Sequence, residues 1–299
     1  MRVAITGSSG FIGTALRRRL AEGGHELRCL VRRAPTNAEE IEWDPAAGRL
    51  DAGDLEGVDA VVNLAGVGIA DGRWSAEQKR RLVSSRIDST NLLARTMTAM
   101  DHPPTVLLSG SAIGYYGDHG SEVLNEQSPP GSSFLAQLCR DWEAATGPAE
   151  AAGIRVAHLR TGLVLDAKGG ALAKMLPLFR LGLGGPFGSG ADYWSWITLD
   201  DEVGAIEFLL GADVSGPVNL TAPEPVTNKD LTRALANALR RPAVVPVPAF
   251  GPRLLLGREL ADELLFSSIR VRPQVLLDVN YPFRHRDLAD GLAAALTRR

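Results

Sequence analysis

Short apolar runs alternate with amphipathic stretches along the first two-thirds of the chain. Val3-Ala4-Ile5-Thr6 is the first run, and it meets Gly7, Gly10 and Gly13. The next stretch carries Phe11, Ile12, Ala15, Leu16 and Leu20 at helical spacing, with Arg17, Arg18 and Arg19 on the wet side. Further strands are expected over Glu26–Val31, Glu40–Trp43, Asp59–Leu64, Thr105–Leu108 and Arg155–Leu159. A long helix is expected from Ser75, its N-cap, to about Met100, and another ends near Gly153. Strands alternating with helices indicate a parallel sheet covered on both faces.

The second half is less regular. Leu181 to Gly190 holds five glycines and reads as loop. Tyr193, Trp194 and Trp196 suit either an aromatic pocket wall or a buried core. Asp200-Asp201-Glu202 is expected to cap a helix running to Leu210, where acids favour the positive dipole end, so no metal site is expected there. Gly216–Leu220, Lys229–Leu239 and Val244–Val247 predict strand, helix and strand, and two more helices are expected after Gly251 around Arg270 to Pro273. The fold class is therefore α/β, a doubly wound, Rossmann-like parallel sheet with a smaller C-terminal α/β lobe. Residues 1–165 are assigned to a dinucleotide-binding domain. Residues 166–299 are assigned mainly to a substrate lobe and C-terminal extension, with some segments returning to the sheet.

Composition narrows the picture. A length of 299 residues is enough for a large core, and a formal charge of −3 gives no sign of a nucleic-acid partner. Cys29 and Cys139 are expected as reduced thiols, and two cysteines cannot make a metal site. No apolar run approaches a membrane span, and Met1 leads straight into the first strand, so a cytoplasmic protein, monomeric or a homodimer, is expected.

The glycine turn carries the first chemistry. Glycine lets a pyrophosphate approach the backbone, and a helix N-terminus offers it free N–H groups. The spacing is Gly-x-x-Gly-x-x-Gly, which differs from the usual dinucleotide fingerprint. The end of the second strand selects the cofactor. An Asp or Glu there would accept hydrogen bonds from a ribose 2′-hydroxyl. This strand ends in Arg32-Arg33, with no acid before Glu39. A guanidinium pairs with a 2′-phosphate, so NADP(H) is favoured. Gly7, Ser9, Gly10, Phe11, Ile12, Gly13, Arg32, Leu64, Ala65, Gly66, Arg86 and Ser109 are the candidate cofactor contacts.

Several stretches together resemble a known family. They are Thr6 to Gly13, Asn63 to Gly66 with Asp71 to Trp74, Ser84 to Thr90, Ser109 to Gly117, Cys139 to Glu143, Gly169 to Met175, and Trp194 to Ile197. The chain resembles the extended and atypical short-chain dehydrogenase/reductases. Within them it is similar to a group of NAD(P)-binding epimerases or oxidoreductases formerly labelled nucleoside-diphosphate-sugar epimerases or a cell-division inhibitor. The resemblance spans the chain, with the tail from about Pro246 similar to that group's short C-terminal extension.

The resemblance implies a Ser or Thr after the fifth strand and a Tyr-x-x-x-Lys on the following helix. Ser111 fits the first position. Aligning Glu143 with the acid that follows the motif puts Leu135 at the tyrosine position and Cys139 at the lysine position. Leucine cannot transfer a proton, and a neutral thiol cannot replace an ammonium. Tyr115, on the loop past Ser111, is the candidate acid–base group, with Arg86 as the charge that replaces the lysine. The expected function is an NADP(H)-dependent oxidoreductase acting on a small carbonyl, alcohol or sugar-nucleotide-like substrate. The alternative is a catalytically silent NADP(H)-binding redox sensor.

Overall fold

A computed structural model describes residues 1–297. Its strands are β1 (Arg2–Thr6), β2 (Glu26–Val31), β3 (Glu40–Glu42), β4 (Ala60–Asn63), β5 (Val106–Ala112), β6 (Val123–Leu124), β7 (Arg155–Thr161), β8 (Leu163–Leu165), β9 (Tyr193–Trp194), β10 (Trp196–Thr198), β11 (Gly216–Leu220), β12 (Val226–Thr227) and β13 (Arg270–Val271). Its helices are α1 (Phe11–Glu22), α2 (Ala76–Thr98), α3 (Phe134–Ala144), α4 (Gly147–Ala151), α5 (Gly170–Arg180), α6 (Leu199–Gly211), α7 (Asn228–Leu239), α8 (Phe250–Leu256), α9 (Arg258–Leu265), α10 (Gln274–Asp278) and α11 (Leu288–Thr297).

Seven strands form one sheet in the order β3-β2-β1-β4-β5-β7-β11. Every neighbouring pair is parallel, with Val3 beside Ala60 and Ile5 beside Val62. Both sheet faces are buried because successive side chains point to opposite sides. Val3, Ile5, Val62 and Leu108 meet Leu16, Leu20, Val203 and Ile206 of α1 and α6. Ala4, Val61 and Leu107 meet Leu93 and Met97 of α2 on the other face. Each fully buried leucine or valine contributes roughly 1.5–3 kcal/mol, so these two layers hold the sheet rigid beneath its carboxyl edge.

A separate core joins Leu172, Leu176 and Phe179 of α5 to Leu231 and Leu235 of α7 and Leu292 of α11. Trp194 and Trp196 lie in it, so both are core residues rather than a pocket wall. Segments beyond residue 165 divide between the two bodies of structure. β11 extends the sheet, α6 lies on α1, and Leu276 and Tyr281 join the first core.

Four expectations need correction. Val244–Val247 is no strand: Val244 is 82% exposed, and a single bridge joins Val247 to Phe187. Without a neighbouring strand, β-branched residues alone do not make one. The helix expected up to Gly153 breaks at Ala145-Thr146 into α3 and α4, with a proline at the start of α4. The cap of α6 is Thr198, whose hydroxyl accepts from the Asp201 amide, while Asp201 and Glu202 are buried inside the first turn. The tail holds four helices rather than two.

Candidate cofactor crevice and active site

The order of strands reverses between β1 and β4, and open parallel sheets bind ligands at such a point, beyond the carboxyl ends. Gly7 leaves β1 with φ of +64°, and a Cβ on it would lie 2.5 Å from the Leu64 carbonyl oxygen. A Cβ on Gly13 would fall 2.1 Å from the Gly7 carbonyl oxygen. These two glycines let α1 lie directly against the strands. Gly10 is different: a Cβ there meets only one atom, 3.1 Å away, so the turn is open on that side. Gly10 gives α1 no side-chain cap, whereas Ser75, Ser133 and Thr227 cap α2, α3 and α7. The first amides of α1 thus stand over a cradle shaped for a pyrophosphate. Among the described residues the cradle fits the expected group.

A buried polar chain fixes the floor. The Thr6 hydroxyl donates to Asn63 Oδ1 at 2.7 Å and accepts from the amides of Leu64 and Ala65. Asn63 Nδ2 and Trp142 Nε1 both donate to the Thr90 hydroxyl, at 2.8 and 2.9 Å. The crevice is therefore tied to α2 and α3.

The two arginines after β2 differ in their freedom. Arg33 forms two hydrogen bonds to Glu40, at 2.6 and 2.8 Å. Arg33 and the Thr36 amide hold the Glu40 carboxyl down to about 2. Arg32 is exposed and has no hydrogen bond or ion pair among the described residues. Its guanidinium is the one left to meet a ligand.

Arg86 projects from α2 beneath Gly66, where a Cβ would lie 3.2 Å from its Cζ. It is 7% exposed, donates to the carbonyls of Leu82 and Val67, and lies 5.1 Å from the Trp142 ring. No carboxylate pairs with it among the described residues, and burial lowers its pKa. Cys139, at the lysine position, lies in the field of this guanidinium. Burial pushes the Cys139 thiol up to about 12, which leaves it neutral and unreactive.

The end of β5 holds a second network. The Ser111 hydroxyl donates to Glu143 Oε1 at 2.7 Å. Arg160 grips the same carboxylate with two hydrogen bonds of 2.8 Å and donates to the Tyr116 hydroxyl at 3.0 Å. Tyr116 in turn donates to Asn219 Oδ1 at 2.7 Å, and burial pushes its pKa up to about 12. Burial opposes the Arg160 charge, but Glu143 outweighs it and the pKa of the guanidinium rises. The Arg160 guanidinium lies 3.4 Å from the Tyr115 ring centroid. So the cation expected beside Tyr115 is Arg160, not Arg86. No hydrogen bond or ring contact joins Arg86 to Tyr115 among the described residues.

The model of the NAD dependent epimerase/dehydratase family matches residues 3–221, and that of a domain of unknown function (DUF1731) matches residues 247–295. The chain belongs to the epimerase/dehydratase family. Epimerase family protein Mb2239 of Mycobacterium bovis is 46% identical over 99% of this chain and 98% of its own. The human epimerase family protein SDR39U1 is 37% identical over 98% of each chain. A crystal structure of human SDR39U1 with NADPH covers 100% of both chains at a TM-score of 0.90 and 33% identity. A nucleoside-diphosphate sugar epimerase from Corynebacterium glutamicum gives a TM-score of 0.80 at 38% identity, with 58% of its chain covered. Sugar-nucleotide enzymes of 16–21% identity share the fold. No helix among the described residues is long and apolar enough to cross a membrane.

For an epimerase/dehydratase family member, the carboxyl edge of the sheet is the place to look for chemistry. There the structure brings Ser111 next to Glu143 and Cys139, and Tyr115 onto Arg160. Tyr116, beside Tyr115, and Arg160, at the end of its strand, stand out in the sequence, but their pairing with each other and with Glu143 does not, nor do Asn219 and the Thr6–Asn63–Thr90–Trp142 chain. A polar residue inside an otherwise apolar strand was the available signal: Asn63, Arg160 and Asn219 each end or interrupt one. Sequence reasoning also missed Glu263, whose carboxylate accepts from the Phe134 and Leu135 amides and the Ser133 hydroxyl at the start of α3. His158 is a core residue, bonded to the Thr146 hydroxyl at 2.9 Å.

Proposed function

We propose that this chain is an NADP(H)-dependent oxidoreductase acting on a small carbonyl or alcohol. The observation that carries the reading is the open glycine cradle with Arg32 unpaired beside it, while Arg33 is spent on Glu40. Family membership and the NADPH-bound human relative support it. Gly7, Ser9, Gly10, Phe11, Ile12 and Gly13 would hold the pyrophosphate, and Arg32 the 2′-phosphate. Leu64, Ala65 and Gly66 would flank the adenosine half, with Arg86 toward the nicotinamide, whereas Ser109 is fully buried against Asn63 and offers the ligand no surface. When bound, the cofactor supplies or accepts a hydride.

The protein must then handle a proton. Ser111 has its hydrogen committed to Glu143, so it positions rather than donates. The Tyr115 hydroxyl has no hydrogen bond among the described residues and is the remaining hydroxyl on the loop. Arg86 supplies a buried positive charge on the cofactor side, where the family's usual lysine is missing. Titrating NADPH and NADH against wild type and Arg32→Ala tests the reading. A charge-assisted bidentate contact is worth roughly 1.5–3 kcal/mol, so wild type should prefer NADPH by about ten- to a hundredfold and the variant should lose that preference. Equal wild-type affinities would overturn it.

One observation favours the silent-sensor reading: Leu135 and a neutral Cys139 occupy the positions of the family's acid–base pair. Turnover of any carbonyl panel member with NADPH excludes it.

A further inference from the structure

A cavity of about 230 Å³ opens beside the loop after β5. Gly114 and Leu135 line it from the catalytic side, and Asp118, Asp262, Glu263 and Phe266 line it from the loop and the C-terminal segment. We infer, resting on the oxidoreductase reading, that this cavity takes a small carbonyl or alcohol without a phosphate group and excludes nucleoside diphosphate sugars.

Three observations lead there. First, the cavity is smaller than the roughly 300–1,000 Å³ of ordinary ligand sites. Second, no arginine, lysine or histidine lines it, while three carboxylates do. A diphosphate is held by charge-assisted hydrogen bonds from arginine, lysine or backbone N–H groups, and like charges in its place repel it. The cations on or against α8 and α9 are already engaged, Arg258 among them through Asp262. Arg253 pairs with Asp262 at 2.7 Å, Lys79 with Glu259 at 2.5 Å, and Arg73 donates to the carbonyls of Leu254 and Leu255.

The third observation concerns α3. Its N-terminus borders the cavity, where backbone amides can receive an anion. Glu263 fills it, accepting from Phe134 N at 3.2 Å, Leu135 N at 3.0 Å and the Ser133 hydroxyl at 2.9 Å. The protein has placed its own carboxylate where a phosphate would sit. Asp118 is likewise fixed, accepting from the amides of Gly120 and Ser268. The wall is a built, acidic surface, assembled by the segment that matches the domain of unknown function. Glu263 and Asp118 are its specificity-determining residues.

The test uses the full chain kept saturated with NADPH. Calorimetric titration with UDP-glucose and with UDP should give no binding to wild type up to about 5 mM. Replacing the repelling charges in Asp118→Asn/Glu263→Gln should strengthen UDP binding at least tenfold, on the scale that like-charge contacts cost. Sub-millimolar UDP or UDP-glucose binding to wild type overturns the proposal. So does a folded double variant that gains nothing. A failure of NADPH itself to bind, read in the loading step, is a failure of the cofactor reading instead.

Discussion

The glycine crevice and the acidic cavity lie at the same sheet edge, yet they are made in different ways. The crevice is mostly backbone. Gly7, Gly10 and Gly13 do their work by lacking side chains, and the partners of β1 are strands β2 and β4. The cavity is mostly side chains delivered from afar. Glu263 reaches α3 from 128 to 130 positions away, and Ser268 reaches Asp118 from 150. Backbone sites tolerate few substitutions but need few residues. Side-chain sites can change character by single replacements.

This contrast is breakable. The largest expected effect is Gly10→Val. The backbone at Gly10 is ordinary, with φ of −74°, and only one atom lies near a new Cβ, so the fold should survive. Side-chain bulk would then fill the pyrophosphate cradle, and NADPH binding should vanish by calorimetry while circular dichroism is unchanged. Retained binding in a folded variant would move the cofactor elsewhere.

On the other side, Tyr115→Phe removes only an oxygen. Once a substrate is in hand, it should lower kcat by about 10²–10⁴ and leave NADPH affinity within a factor of about two. A smaller loss returns the proton to Ser111 and Glu143. Arg160→Met strands Glu143 in a buried site. It should cost about 3–5 kcal/mol by urea unfolding, because a lone buried carboxylate is left behind. A cost near zero would show that the Ser111–Glu143–Arg160 network does not hold the site together.

A pH measurement sharpens the picture next to β7. Burial pushes Glu202 up to about 8 from an ordinary 4.5, with Thr161 donating to it at 2.8 Å. The folded state then holds a proton that the unfolded state has lost. This contribution to stability is full below about pH 4.5 and is lost as pH rises toward 8. Glu202→Gln should flatten the fall in Tm between pH 5 and 8, and an unchanged slope would assign that fall to other groups. The smallest expected effect is Cys139→Ala, which should leave turnover within about twofold. A large loss there would restore α3 as the bearer of the chemistry.

The sheet was legible because its strands are short apolar runs with local glycine punctuation. Thr6 to Gly13 and the Ser75 cap each declare their local structure within a few residues. Family membership was legible for the same reason. Val244–Val247 misled because β propensity needs a neighbour to pair with, and only Val247 meets one, in a single bridge to Phe187. Arg86 was expected beside Tyr115, but Arg160 takes that place, and the two meet only after β7 is laid beside β5. The acidic wall was invisible because Asp118 and Glu263 each look like ordinary surface acids until the chain returns.

That return has a consequence in time. Every element of the glycine cradle lies before residue 99, whereas the wall needs residues 262–269. At about 5–20 residues per second, a growing chain exposes the cradle's elements roughly 10–30 s before the wall can close. The residues of the glycine crevice therefore emerge first during synthesis, α6, which packs on α1 and β1, follows, and the acidic wall emerges last.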